Sequence, residues 1–217
     1  MKKIVYLLAL VLLCANQVYA DNLLTNPGFD TGALSPWLEI SGYGTGSDVS
    51  ITTGQYLSPD YSAQFKGSNK YLNATLSLSQ GYFSVTPDMT YYGSAYLQSL
   101  SSSEPLRDGA NAYVSLTWYN KVGVAYIPIG SVNSDKLETW NNNWEFFEAS
   151  GIAPSNADYA SLSLVMYSPK LSGTSRSVYF DNAWIGTTSA VPEPVSTILF
   201  ITGGSVLLVR RMRKAKK

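Results

Sequence analysis

Four segments of the chain alternate apolar and polar side chains with a period of two residues. The clearest are residues 112–119 and 160–167, and residues 91–98 and 178–185 follow the same pattern. A period of two is typical of a β-strand that turns one face to a core and the other to solvent. Because residues 21–186 show no sustained helical period, the alternation predicts antiparallel strands.

Clusters of turn-forming residues separate these segments. They lie at residues 58–60, 86–88, 120–123 and 153–156. Such clusters end strands, and many short strands at this spacing are typical of two packed sheets. We therefore predict an all-β domain over residues 21–186, folded as a two-sheet antiparallel β-sandwich and followed by a short linker at residues 187–191.

The N-terminus has the layout of a secretory signal peptide. Two lysines precede an apolar run at residues 4–13, and Ala20 closes a small-residue cleavage site before Asp21. This pattern predicts that residues 1–20 direct export across the inner membrane and are then removed. Cys14 is the single cysteine, so the mature domain is expected to fold without a disulfide.

The C-terminus combines two prolines, an apolar run and a basic cluster. Residues 195–209 carry no charge and no proline, so they are stable as a helix only in lipid or buried in protein. That helix would be about 22 Å long, short of the roughly 30 Å core of a bilayer. The basic residues 210–217 predict that this end stays in the cytoplasm, with everything before the prolines outside.

This order of parts resembles the PEP-CTERM sorting tail of Gram-negative bacteria. The resemblance covers residues 192–217 and rests on Pro192, Glu193 and Pro194, the short span and the basic end. It implies a transient membrane anchor whose motif is recognised by an exosortase. The span is then removed, and the protein reaches the cell surface or the exopolysaccharide matrix of a biofilm. The alternative is an ordinary single-span anchor.

Charge and composition exclude several function classes. Residues 21–190 carry seven basic and fourteen acidic side chains, a net charge of −7. An acidic exported domain argues against nucleic acid and anionic membrane surfaces as partners, and leaves neutral polymers such as polysaccharides open. The chain has no histidine, which excludes a Ser-His-Asp relay and histidine metal sites.

Three glutamates are the remaining catalytic candidates. Glu138, Glu145 and Glu148 lie close together in the sequence, and a pair of carboxylates can hydrolyse glycosides. Their spacing beside two tryptophans is more typical of a solvated face. We therefore predict that the protein is not an enzyme, with a small glycoside hydrolase as a distant alternative.

Two motifs at the ends of the domain resemble carbohydrate-binding modules. They are residues 22–32 (NLLTNPGFDTG), followed by Pro36 and Trp37, and residues 178–185 (VYFDNAWI). The nearest groups are families four and nine and the wider galactose-binding-like jelly rolls. The resemblance implies a jelly-roll sandwich that binds glycan without catalysis. Phe29 is expected to be the first buried residue after the Asn-Pro-Gly turn at residues 26–28, and Trp37 to close one end of the core.

The same resemblance implies a structural calcium ion. Its ligands would be a carboxylate just after the first aromatic residue and an aspartate in the last strand, which are Asp30 and Asp181 here. Hard oxygen ligands suit calcium and would tie the first strand to the last. The alternative is that Asp30 caps a turn and Asp181 accepts backbone hydrogen bonds.

A polar sheet face is the predicted glycan site. If the apolar residues of each strand face inward, the intervening residues form one outer face. Its candidate ligand-binding residues are Tyr92, Tyr96, Gln98, Tyr113, Thr117, Tyr119 and Tyr167. Tyrosine rings suit the apolar side of a sugar, and hydroxyl and amide groups suit its edge. The alternative is a structural or adhesion protein whose Tyr, Thr and Ser residues only form good strands.

Overall fold

The computed structural model describes residues 22–42, 48–67, 73–169 and 175–190. These ranges form an all-β structure, which confirms the predicted fold class. The ten strands are β1 (Leu38–Gly42), β2 (Asp48–Thr52), β3 (Ser62–Gly67), β4 (Ala74–Ser84), β5 (Thr90–Gln98), β6 (Asn111–Val122), β7 (Ala125–Asn133), β8 (Glu145–Ile152), β9 (Tyr159–Ser168) and β10 (Arg176–Gly186).

The predicted signal peptide, sorting motif and apolar span lie outside the described residues. Among the residues that are described, none belongs to a helix that could cross a membrane.

The strands form two five-stranded antiparallel sheets that pack face to face. Sheet I has the order β1-β4-β9-β6-β7, and sheet II has the order β2-β3-β10-β5-β8. Strands that are neighbours in the chain often lie in opposite sheets, as β5 and β6 do. The chain therefore crosses repeatedly between the sheets, so both are needed to enclose the core.

The core lies between the sheets and is built from the apolar half of each alternating segment. The inward residues of β6 and β9 are all at most 2% exposed: Ala112, Val114, Leu116, Trp118, Ala160, Leu162, Leu164 and Met166. Their burial confirms the inward face that the alternation predicts. Gly93 of sheet II lies so close to Leu162 of sheet I that a Cβ there would be 2.4 Å from Leu162 Cδ1.

The segment before β1 closes one end of the core. Phe29 is fully buried and Trp37 is 4% exposed, with their ring centroids 5.6 Å apart, as predicted. The Trp37 indole donates to the carbonyl of Asn26 at 3.1 Å. The backbone N–H of Leu23 donates to the carbonyl of Ile185 in β10. The first described residues are thereby attached to the last strand.

Candidate functional site

Small hydroxyl side chains line the centre of the outer face of sheet I. Because the apolar residues of β4, β6 and β9 point inward, the residues between them point outward. Ser79, Ser163 and Ser115 lie side by side on the three strands, and the Oγ atoms of Ser79 and Ser163 are 2.7 Å apart. Thr117 and Ser161 form the next row.

Tyrosines flank these hydroxyls at both ends of the face. Tyr113 and Tyr167 lie at one end and Tyr119 at the other, and each is partly buried. Tyr113 and Tyr119 are about 20 Å apart along β6, at about 3.4 Å per strand residue. The Nζ atom of Lys136 lies 5.6 Å from the ring centroid of Tyr113. The face thus offers an extended polar floor between aromatic rings.

Tyr119 belongs to a cluster of four tyrosines, here called the tyrosine cluster. Tyr82 stacks on Tyr126 with ring centroids 3.8 Å apart and meets Tyr119 edge-on at 4.9 Å. Tyr159 meets Tyr126 edge-on at 5.2 Å. The Nζ atom of Lys121 lies 5.5 Å from the ring of Tyr126 and 5.6 Å from that of Tyr159. An adjoining cleft of about 350 Å³ is lined by Val85, Pro87, Lys121, Ala157, Asp158 and Tyr159.

Three of the predicted glycan-binding residues lie on the other sheet. Tyr92, Tyr96 and Gln98 belong to β5, which pairs with β10 and β8 in sheet II. The prediction of one continuous face was therefore wrong, because alternation shows which residues point outward but not which sheet they join. Gln98 is also 6% exposed and donates from Nε2 to the carbonyl of Asn142. The structure brings together Tyr113, Thr117, Tyr119 and Tyr167.

The two predicted calcium ligands do lie close together. The Ser58 hydroxyl donates to Asp181 Oδ1 at 2.9 Å and is 3.3 Å from Asp30 Oδ1. Asp181 is fully buried and also accepts the backbone N–H groups of Leu57, Ser58 and Asn182. Burial raises the pKa of Asp181, although the hydrogen bonds from Ser58, Leu57 and Asn182 act in the opposite direction.

Solved structures with the same architecture include a carbohydrate-binding module of the β-sandwich superfamily. The module matches this chain with a TM-score of 0.50 and 12% identity, over 79% of this chain and 63% of the module. The two share a two-sheet β-sandwich fold. At this identity the similarity shows the fold alone.

Similar sandwiches also occur within larger proteins. The enzymatically active domain of tailspike protein 4 from bacteriophage CBA120 matches with a TM-score of 0.52 and 12% identity, over 77% of this chain and 21% of that one. An arabinose-bound α-L-arabinofuranosidase matches with a TM-score of 0.51 and 16% identity, over 79% and 27%. No protein-family model and no curated protein sequence matches the chain.

The carboxylate of Asp181 is not arranged as a free calcium ligand, because hydrogen bonds already occupy it. The two oxygens of a carboxylate offer about four acceptor positions, and Asp181 already receives four hydrogen bonds. A cation would have to displace at least one of these donors. The observed contacts favour the alternative in which hydrogen bonds satisfy Asp181, and calcium binding by Asp30 and Asp181 stays a prediction.

Three tyrosines of the outer face of sheet I were missed at the sequence level. Tyr159 follows the β9 alternation and could have been found by extending that segment backwards. Tyr126 lies on β7, which is a hairpin partner of β6, and a predicted turn at residues 120–123 was the available signal. No sequence pattern indicated that Tyr82 lies on this face, because the register of β4 on β9 shifts between Gly81 and Phe83.

Proposed function

We propose that this protein binds a glycan chain on the outer face of sheet I. The observation that carries the proposal is the row of serine and threonine hydroxyls between Tyr113 and Tyr167 at one end and Tyr119 at the other. Tyrosine rings stack on the apolar faces of sugar rings and keep a hydroxyl for hydrogen bonding. An extended face suits a polymer better than a small molecule.

The proposed activity is non-catalytic. The sequence has no histidine, and its one cysteine lies in the predicted signal peptide. Of the three glutamates, Glu138 and Glu145 are exposed, and Glu148 accepts a hydrogen bond from the Ser189 hydroxyl at 2.6 Å. These contacts assign the glutamates to the surface of β8 and the loop before it, rather than to the tyrosines of sheet I.

Two matched double variants test the glycan face. Tyr113→Ala with Tyr119→Ala removes rings from sheet I, and Tyr92→Ala with Tyr96→Ala removes rings of the same type from sheet II. We expect the sheet I variant to lose about tenfold or more in affinity for extracted matrix polysaccharide, since each lost ring contact contributes about 0.5–1.5 kcal/mol beyond its buried area. The measurement is retention on immobilised polysaccharide.

The sheet II variant serves as the control and should be retained like the wild type. Equal retention of both variants and the wild type would reject the proposed face. It would favour the second candidate function, a structural or adhesion protein without a sugar site. That candidate has its own support, because Tyr82 and Tyr126 stack on each other and leave less ring surface for a ligand.

We also infer that the protein is exported and sorted through its PEP-CTERM-like tail. The support is the sequence alone: Pro192, Glu193 and Pro194, the uncharged residues 195–209 and the basic residues 210–217. An exosortase would be its processing partner, and the cell surface or exopolysaccharide matrix its destination. This location would bring the proposed glycan face to its ligand.

The mass of the mature protein tests the sorting proposal. In cells that make an exosortase, we expect the recovered protein to lack residues 1–20 and the span at residues 195–209. Deleting the exosortase should leave the span on the protein and retain it in the inner membrane. Recovery of an intact C-terminus from exporting cells that contain the enzyme would contradict the proposal.

A further inference from the structure

The chain turns back onto sheet II after its last strand ends at Gly186. The indole N–H of Trp184 donates to the carbonyl of Thr188 at 3.2 Å, and the Ser189 hydroxyl donates to the Glu148 carboxylate at 2.6 Å. These two bonds attach the segment to both β10 and β8. Residues 187–190, expected from the sequence to be a plain linker, are therefore attached to the sandwich.

This returning segment ends in an aromatic cleft, here called the sheet II cleft. The cleft has a volume of about 300 Å³, and Ala190, the last described residue, forms part of its wall. Tyr96, Phe146 and Trp184 supply aromatic walls, with the rings of Tyr96 and Phe146 5.3 Å apart. The exposed side chain of Asn182 adds a polar group at the same place.

The segment that follows Ala190 has the chemistry that such a cleft binds. The next residues are Val191, Pro192, Glu193 and Pro194. Two prolines at alternate positions favour an extended polyproline-type backbone, which loses little entropy when it binds. Aromatic-lined grooves recognise proline-rich segments of this kind, and amide side chains can bond their exposed carbonyl groups.

We propose that the sheet II cleft is a docking site for residues 191–194 of the same chain. Because Ala190 forms part of the cleft wall, the prolines can reach the aromatic walls without any intervening linker. A docked motif is covered by the sandwich. A processing enzyme that recognises Glu193 must therefore compete with the cleft for residues 191–194. Docking thereby couples the folded domain to the availability of its own tail. The proposal is independent of glycan binding on sheet I.

A single introduced thiol tests the docking. In a Cys14→Ser background the chain has no cysteine, so Glu193→Cys gives one reactive site in the full chain in detergent micelles. We expect this thiol to react with a maleimide at least about fivefold faster when Phe146→Ala opens the cleft, because the rate follows the undocked fraction. Pro192→Ala with Pro194→Ala should accelerate the reaction similarly while leaving the sandwich unchanged.

Two controls separate release of the docked segment from general unfolding and from an unspecific effect of a lost aromatic ring. A thiol at Ala63→Cys, which is fully buried in β3, should stay unreactive with and without Phe146→Ala, which excludes general unfolding. Tyr82→Ala, on the opposite sheet, should leave labelling of Glu193→Cys unchanged. If labelling at position 193 is the same in the wild-type cleft, the Phe146→Ala cleft and the double proline variant, the cleft does not hold this segment and the proposal is wrong.

Discussion

Replacing Asp181 with asparagine is expected to lower the free energy of unfolding by about 3 kcal/mol, since each buried donor left unpaired costs about 1–3 kcal/mol. The carboxylate accepts four hydrogen bonds in a fully buried position. An asparagine side chain offers one acceptor oxygen and directs its own N–H groups at the remaining donors. For a domain of this size the unfolding temperature should fall by about 6–12 °C, measurable by calorimetry.

Asp30→Asn separates this hydrogen-bonding role from a calcium site. Asp30 is exposed, and its Oδ1 lies 3.3 Å from the Ser58 hydroxyl, which donates its proton to Asp181. Its substitution should therefore shift the unfolding temperature little if hydrogen bonds alone hold Asp181. If calcium bridges Asp30 and Asp181, chelator should destabilise the wild type and have no further effect on Asp30→Asn. A loss below about 1 kcal/mol for Asp181→Asn would contradict the proposed role of its four bonds.

Phe29→Ala is expected to cost about 3–5 kcal/mol, the usual range for removing a buried phenylalanine ring. The ring is fully buried and packs against Trp37 at the end of the core. The segment around it is attached to β10 through Leu23. A cavity at Phe29 would therefore loosen both the core and the junction between the first and last parts of the domain. Urea unfolding of the exported chain measures the loss.

Leu38→Ala is the matched control for this substitution. Leu38 lies a few residues later and is 68% exposed, so its truncation should change the free energy of unfolding by less than about 0.5 kcal/mol. Similar losses for both variants would show that Phe29 is not an anchor of the core.

The strands of this sandwich were predictable where one face is buried and the other is not. In β6 and β9 the apolar residues at every second position, from Ala112 to Trp118 and from Ala160 to Met166, point into the core. Val165, between Leu164 and Met166, departs from the alternation and lies on the outer face. The pairing of β5 was not predictable, because an outward tyrosine has the same pattern in either sheet. Tyr92 and Tyr96 were therefore assigned to the wrong face, although their outward direction was correct.

Irregularities in the strands hid other parts of the site. The register of β6 on β7 shifts between Trp118 and Tyr119, so that Tyr119 pairs with Pro128. The alternation pattern also did not predict the burial of Arg176. This side chain is fully buried and forms an ion pair with Asp108 through Nη2 at 3.2 Å. Tertiary contacts determine the burial and the strand partners of such residues, and the local sequence does not indicate them.

The glycan face can be tested most directly by locating a bound oligosaccharide on the sandwich. Oligosaccharides prepared from matrix polysaccharide would be titrated into the isotope-labelled exported chain, with amide chemical shifts as the readout. We expect the shifts to concentrate on β6 and β9, around Tyr113, Ser115, Tyr119 and Ser163. Shifts confined to β5 and β10 of sheet II, or no shifts at saturating oligosaccharide, would contradict the proposed glycan face.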